Sequence, residues 1–300
     1  MIKTVDLVKT FDGFTALNKA TMQVKKGSVY GLVGPNGAGK STIIRSITGI
    51  YKADEGQILI DDAPVYDNNA VKQRIGYIPD DVFFYHTASL KDMAKFYEKT
   101  YENFDMELFM RLKEYFPKID MKKKVRFLSK GMQKQAAFWL CIAQKPDILI
   151  LDEPVDGLDP VMRKQVWSLL LKEVTDREVT VLVSSHNLRE LEDVCDHVGI
   201  MSDGKILLEC SLEDMQENTV KIQMAFDGEI PAFNDIPGVL HSTTTGRVVN
   251  LIIKSKEKDA VERLSAYNPM FIEAIPLTLE EIFIYELGGT DYAVKDILIS

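Results

Sequence analysis

Cysteine is scarce in this 300-residue sequence. Cys141, Cys195 and Cys210 are odd in number and lack C-x-x-C spacing, which argues against a disulfide framework and for reduced thiols in a cytosolic protein. The four histidines form no H-x₃-H or H-E-x-x-H pattern, so a transition-metal site is not expected. Long apolar runs are missing too. Nowhere do about eighteen apolar residues run together, so no segment reads as a membrane crossing. The opening MIKTVDLVKT has no apolar stretch of the kind a secretory signal needs. A basic excess is also lacking: 36 Lys and Arg face 45 Asp and Glu, for a net charge of −9. That balance argues against broad nucleic-acid binding, which needs a basic face. No internal repeat or low-complexity linker interrupts the chain. What remains, 46% apolar and 27% charged, is the composition of a globular protein large enough for a sizeable core.

The pattern along the chain predicts an α/β protein. Short β-like runs at 5–8, 20–24, 29–33, 57–60 and 76–78 surround a helix predicted over 41–48, with Gly49 in a C-cap position. Residues 86–142 turn helical. Ser89 and Asp92 make an N-terminal capping pattern ahead of Leu90, Met93 and Tyr97, and a second helix from about Asp105 stacks Leu108, Leu112, Tyr115 and Phe116 on one side. Strands return at 148–151 and 179–184 with a helix between them, so the helical stretch reads as an insert in one α/β core. This core is expected to end near residue 212. In 213–300, alternation at Val220, Ile222, Met224 and Phe226, and again at Val249, Leu251 and Ile253, predicts two half-buried strands of a small α+β appendage. Thr278 and Glu281 repeat the capping pattern before the helical LEEIFIYEL, and the last ten residues read as a tail.

The residues with the sharpest chemistry lie at 34–42, GPNGAGKST. They fit G-x-x-x-x-G-K-[ST], follow an apolar strand and precede a helix, which is the setting of a phosphate-binding P-loop. Glycines there let successive backbone N–H groups point inward at phosphate oxygens, and the helix start adds its positive end. Gly34, Pro35, Asn36, Gly37, Ala38, Gly39, Lys40, Ser41 and Thr42 are therefore candidate ATP contacts. Lys40 is predicted to reach the β- and γ-phosphates, and the Ser41 hydroxyl to ligate Mg²⁺. The apolar run ILILDEP, 148–154, ends in two carboxylates. Asp152 suits a Mg²⁺ ligand, held directly or through water, and Glu153 a base that polarises the attacking water.

LSKGMQ, 128–133, lies about twenty residues before ILILDEP. With it the chain resembles the ATP-binding-cassette (ABC) transporter ATPase subunits, whose signature is typically LSGGQ at a helix start. Leu128, Ser129 and Gly131 match, while Lys130 and Met132 depart. The resemblance covers residues 1 to about 210. It extends to VDGLDP, 155–160, which resembles the D-loop and would put Asp159 at a dimer contact. It also extends to SSH, 184–186, where His186 resembles the switch histidine that contacts the γ-phosphate and orients Glu153. Phe11, ahead of Gly13 and Ala16, matches the aromatic position that stacks on adenine. Asp80 departs: the family usually has Gln there, ligating Mg²⁺ and contacting the transport partner. Aspartate keeps an oxygen ligand, but it is shorter, brings charge and loses the amide donor.

This resemblance implies a P-loop NTPase fold: a RecA-like core with an antiparallel β subdomain, an inserted α-helical subdomain and the small α+β appendage. It implies ATP and Mg²⁺, and two subunits (a homodimer or a heterodimer) that sandwich ATP, with Ser129 and Gly131 acting in trans. Hydrolysis catalysed through Glu153, His186 and Lys40 would energise permease subunits on separate chains, from the cytoplasmic face of the membrane. The LSKGM-type signature, YIP followed by an acid, and LTLEEIF near the end resemble bacterial drug and peptide-antibiotic export cassettes. The alternative is a soluble cassette in translation or DNA maintenance. Against it stand a single P-loop and signature, and the absence of a sustained heptad run.

Overall fold

In the computed structural model, residues 1–228, 230–233, 236–275, 277–278 and 281 are described, without the side chains of 215–217. The chain divides into two compact units, residues 1–186 with 197–209, and residues 187–196 with 210–300.

The first unit opens with β1 (Ile2–Phe11) and β2 (Phe14–Val24). Next come the fully buried β3 (Val29–Val33) and α1 (Lys40–Ile47). Gly49, at φ +71°, follows the end of α1 in the left-handed conformation expected of it. β4 (Glu55–Ile60), β5 (Ala63–Pro64), the short α2 (Asn69–Gln73) and β6 (Ile75–Ile78) lead to the helical stretch. This stretch holds α3 (Leu90–Thr100), α4 (Met106–Arg111) and α5 (Lys130–Ala143). Then follow β7 (Ile148–Asp152), α6 (Pro160–Arg177), β8 (Thr180–Ser185), β9 (His197–Ser202) and β10 (Lys205–Ser211).

Two sheets result. One is four-stranded in the order β2-β1-β4-β5, antiparallel throughout. The other is six-stranded in the order β10-β9-β3-β8-β7-β6, and the pairings of β3 with β8 and β9, and of β7 with β6 and β8, are parallel. Parallel strands covered on both faces read as continuous apolar runs, which is why β3, β7 and β8 were legible without any alternation. Ile43, Ile44 and Ile47 of α1 pack with Leu32, Ile150 and Leu182 of the parallel sheet and with Leu7 and Leu17 of the antiparallel one. One core thus fixes the helix that begins at Lys40.

The helical stretch corrects one expectation. Ser89 and Asp92 do form a reciprocal capping box at the start of α3, but the helix from Asp105 stops at Arg111 and tightens into a 3₁₀ turn, Leu112–Glu114. Phe109, Leu112 and Phe116 go inside while Tyr115 stays exposed. Trp139 of α5 organises this packing. Its ring stacks on Phe109 and Phe116 at centroid distances of 5.1 and 5.5 Å, and its indole N–H donates to the Phe109 carbonyl at 2.6 Å.

The second unit contains α7 (Leu212–Asn218), β11 (Thr219–Ala225), β12 (Val239–Thr245), β13 (Val248–Lys254), α8 (Glu257–Ser265) and β14 (Phe271–Ile275). Its sheet runs β12-β13-β11-β14, with each neighbouring pair antiparallel. The alternating residues of β11 and β13 meet Ala260 and Leu264 of α8 in a separate core. The sequence reading missed β12 and β14, the two edge strands: β12 shows no clean alternation of buried and exposed residues, and β14 is only five residues long. Thr278 and Glu281 exchange capping hydrogen bonds; the rest of LEEIFIYEL and the last ten residues lie outside the described residues.

Candidate functional site

The site is built at the C-terminal ends of adjacent parallel strands, the usual place for a ligand in an open α/β sheet. β3 delivers residues 34–42, β7 delivers Asp152 and Glu153, and β8, paired so that Asp152 lies opposite Ser184, delivers Ser184 and His186.

The loop after β3 leaves no room for a side chain at Gly34, where a Cβ would run into the Met201 carbonyl oxygen. At Gly39, φ is +107° and a Cβ would sit 2.8 Å from the Ala16 oxygen. Lys40 is 6% exposed and folds back over the loop, donating to the carbonyls of Gly34 at 2.6 Å and Pro35 at 3.3 Å. Asn36 and Gly37 are exposed at the tip, and Ser41 and Thr42 follow in the first turn of α1.

The structure brings together four residues singled out in the sequence. The Glu153 carboxylate has Oε1 3.4 Å from Lys40 Nζ and Oε2 2.8 Å from His186 Nδ1, and it also accepts the His186 backbone N–H at 3.3 Å. A carboxylate only accepts, so this geometry assigns the proton to Nδ1. Asp152 is fully buried. Its Oδ1 accepts from Ser184 Oγ at 2.7 Å, whereas Oδ2 has no hydrogen-bond partner. Nearby Tyr77 has its phenol pushed up, first by burial and then by the negative charge of Asp152. Glu153 stands at φ +46°, a region sparsely used by residues other than glycine. Its N–H is taken by Ser184 Oγ at 3.0 Å.

Asp80 joins this group through a residue the sequence reading passed over. Lys134, 9% exposed on α5, donates to Asp80 Oδ1 at 3.1 Å and to the Glu153 carbonyl at 2.9 Å. Its signal was available: a lysine one turn past Ser129, on a helix that otherwise turns apolar, with an acid standing at position 80. Ser184 was also missed in this role, since SSH was read for its histidine alone.

Gly131, two residues after Ser129, lies against the 155–160 loop. Ser129 caps α5, its Oγ accepting the Met132 N–H at 3.3 Å, and a Cβ on Gly131 would come within 3.4 Å of the Gly157 carbonyl. Asp159 caps α6, accepting from the N–H groups of Val161 and Met162 at 3.1 and 3.0 Å. Phe11 ends β1 with 37% exposure, edge-on to Tyr51 at 5.2 Å, and the Lys9 ammonium lies 5.3 Å from its ring centre. It is therefore not a core residue.

Comparison with known proteins agrees with this geometry. Residues 17–156 match the ABC transporter family. The ABC transporter ATP-binding protein YtrB of Bacillus subtilis (strain 168) is 32% identical over 289 residues, covering 96% of this chain and 99% of that protein. The bacitracin transport ATP-binding protein BcrA of Bacillus licheniformis is 32% identical over 223 residues, 74% of this chain and 73% of the relative. Among solved structures, the dimeric bacterial ABC transporter cassette MJ0796 superposes with a TM-score of 0.65 over 71% of this chain and 99% of its own, at 22% identity, a likeness of fold. With phosphate loop, paired acids and histidine gathered at the C-terminal ends of neighbouring strands, this chain belongs to the ABC transporter ATP-binding proteins, the ATPase subunits of these transporters.

Proposed function

We propose that the chain energises a bacterial-type exporter of drugs or peptide antibiotics, with Glu153 as the general base of ATP hydrolysis. The observation that carries the reading is the Glu153 carboxylate held between Lys40 and His186, beside the buried Asp152. In this resting arrangement Lys40 is paired with Glu153. An incoming γ-phosphate, with more negative charge than a carboxylate, competes for the ammonium and frees Glu153 to accept a proton from water. His186 holds the other carboxylate oxygen and fixes the direction in which the base points. The exposed ring of Phe11 offers adenine a stacking surface.

Mg²⁺ fits the donor set. Asp152 Oδ2 is a buried carboxylate oxygen without a partner, costly unless a cation or a donor meets it. Ser41 adds a hydroxyl, and Asp80 keeps Oδ2 beside the oxygen given to Lys134. Among the described residues no group of three or more His, Cys, Asp or Glu forms a metal cage, so the ion would be held partly by the nucleotide's own oxygens, as is usual for Mg²⁺. When bound, it would neutralise charge developing between the β- and γ-phosphates.

No helix among the described residues is long and apolar enough to cross a membrane, which supports permease subunits on separate chains and peripheral attachment at the cytoplasmic face. Exposed Phe83, Tyr85 and Phe96 pack edge to face beyond Asp80 and offer such a partner an aromatic surface. The likeness to BcrA, named for bacitracin transport, supports export, and the fold shared with a dimeric cassette supports a two-subunit ATP sandwich. Asp159 and the Ser129–Gly131 helix start would lie at that dimer contact.

Glu153→Gln tests the assignment. The amide keeps the shape but is a poor base, so hydrolysis should fall by about a hundred-fold or more while ATP still binds. Turnover near the native rate, measured by phosphate release, removes Glu153 from the role of base.

A further inference from the structure

We propose that Lys134 is a positioning residue for hydrolysis: its ammonium clamps the main-chain carbonyl of Glu153 and ties it to Asp80, so that the helix beginning behind Ser129 sets the stance of the base. This rests on Glu153 being the base. A lysine is seldom buried without a specific partner, because its charge loses hydration. Lys134, with only 11% of its side chain exposed, directs its N–H groups to two oxygens, Asp80 Oδ1 at 3.1 Å and the Glu153 carbonyl at 2.9 Å.

The second contact falls where the backbone needs it. At φ +46° Glu153 has left the β7 ladder, and its peptide groups must find partners elsewhere. Ser184 Oγ takes the N–H at 3.0 Å, and the carbonyl has the Lys134 ammonium together with a long 3.4 Å contact from the Asp156 N–H. A charged donor makes the stronger hydrogen bond. The disfavoured conformation that aims the Glu153 carboxylate at Lys40 and His186 is thus held by side chains on both sides of the residue. Asp80, on the segment after β6 and half exposed, supplies the counter-charge that keeps the ammonium in place. Lys134 makes no hydrogen bond to the 34–42 loop. Losing it should therefore disturb the base and leave nucleotide affinity intact.

The test uses the full chain and reads kcat, KM for ATP and the thermal midpoint. Lys134→Met keeps the length and removes the charge. It should lower kcat about ten-fold or more with KM within about two-fold. Lys134→Arg, which restores charged donors, should recover most of that loss. At saturating Mg²⁺, where any metal contact of Asp80 is not limiting, Asp80→Ala should lower kcat less, and the Lys134→Met/Asp80→Ala double variant should be no worse than Lys134→Met alone, because the two act as one unit. Native kcat in Lys134→Met with only a lowered thermal midpoint makes the lysine a stabilising ion pair and overturns the clamp, and so does a double variant whose losses multiply. Should Lys134→Met fail to fold, Asp80→Ala decides: a kcat deficit that raised Mg²⁺ does not erase supports the link, and an unchanged or Mg²⁺-rescued kcat overturns it. Glu153→Gln, assayed alongside, separates the two readings. If it is inactive while Lys134→Met is native, only the clamp fails; if it is active, the base assignment fails as well.

Discussion

At the scale of single residues, the site is held by groups that serve two neighbours at once. Ser184 is the plainest case, since its hydroxyl donates to Asp152 and accepts from the Glu153 N–H. Both acids therefore depend on an oxygen that no motif reading would single out. Ser184→Ala leaves a fully buried carboxylate with neither oxygen hydrogen-bonded and strands a backbone donor. Unsatisfied buried polar groups cost about 1–3 kcal/mol, so urea unfolding should show a loss of that size, together with reduced ATP hydrolysis. A loss below about 0.5 kcal/mol, the range of an ordinary surface substitution, would mean that the hydroxyl is not needed to satisfy Asp152. Gly34, Lys40, Asp152 and Glu153 were legible from motifs that stand at strand ends, and His186 from the resemblance that SSH carries. Lys134 and Ser184 were not, because their roles exist only once separate segments have come together.

At the scale of elements, legibility followed periodicity. The strands buried on both faces announced themselves as apolar runs, and the capping box of α3 was readable from Ser89 and Asp92 alone. The helix after Asp105 was misread because the sequence keeps helical spacing through Phe116 while the chain narrows to a 3₁₀ turn at Leu112. Phe109 and Phe116 stack on Trp139 there, a tertiary contact between separate segments of the chain. α5 links this packing to the site: it starts at the Ser129 cap, carries Lys134 and Trp139, and ends in a core that includes Cys141. Burial pushes the Cys141 thiol up to about 12, well above the ordinary value of about 8.5. The reactive thiolate is therefore nearly absent from the folded state at pH 8. The neutral thiol is favoured by folding, so its contribution to stability is full below pH 8.5 or so and is lost as pH rises from there towards 12. Alkylation of Cys141 at pH 8, followed by mass spectrometry across a urea series, should track unfolding of α5. Prompt labelling in native buffer would show that this helix opens far more readily than its packing implies.

At the scale of the whole molecule, the proposed sandwich divides a phosphate site between two subunits. Lys40, Glu153 and His186 gather at the strand ends, while Gly131, two residues after Ser129, lies against the 155–160 loop. The Ser129 hydroxyl uses an acceptor lone pair in capping Met132, and its O–H remains a donor for an anion. The backbone N–H groups of the first turn of α5 point the same way, towards the positive end of a 14-residue helix. In the proposed sandwich, this helix start meets the ATP that a second subunit brings. The proposed sandwich therefore makes a prediction that single variants cannot. Lys40→Ala removes the ammonium that meets the phosphates, and Ser129→Arg blocks the helix start, so each homodimer should be inactive. In a mixed dimer, one of the two composite sites joins a native Lys40 on the Ser129→Arg chain to a native Ser129 on the Lys40→Ala chain. If the subunit pairs with itself, mixing the two inactive proteins should restore up to about a quarter of native hydrolysis: random pairing makes half the dimers mixed, each with one intact site of two. The recovery should rise with protein concentration as dimers form. A mixture as inactive as its components, under conditions where native dimers turn over ATP, would remove Ser129 from the partner's active site and leave it as the cap of its own helix.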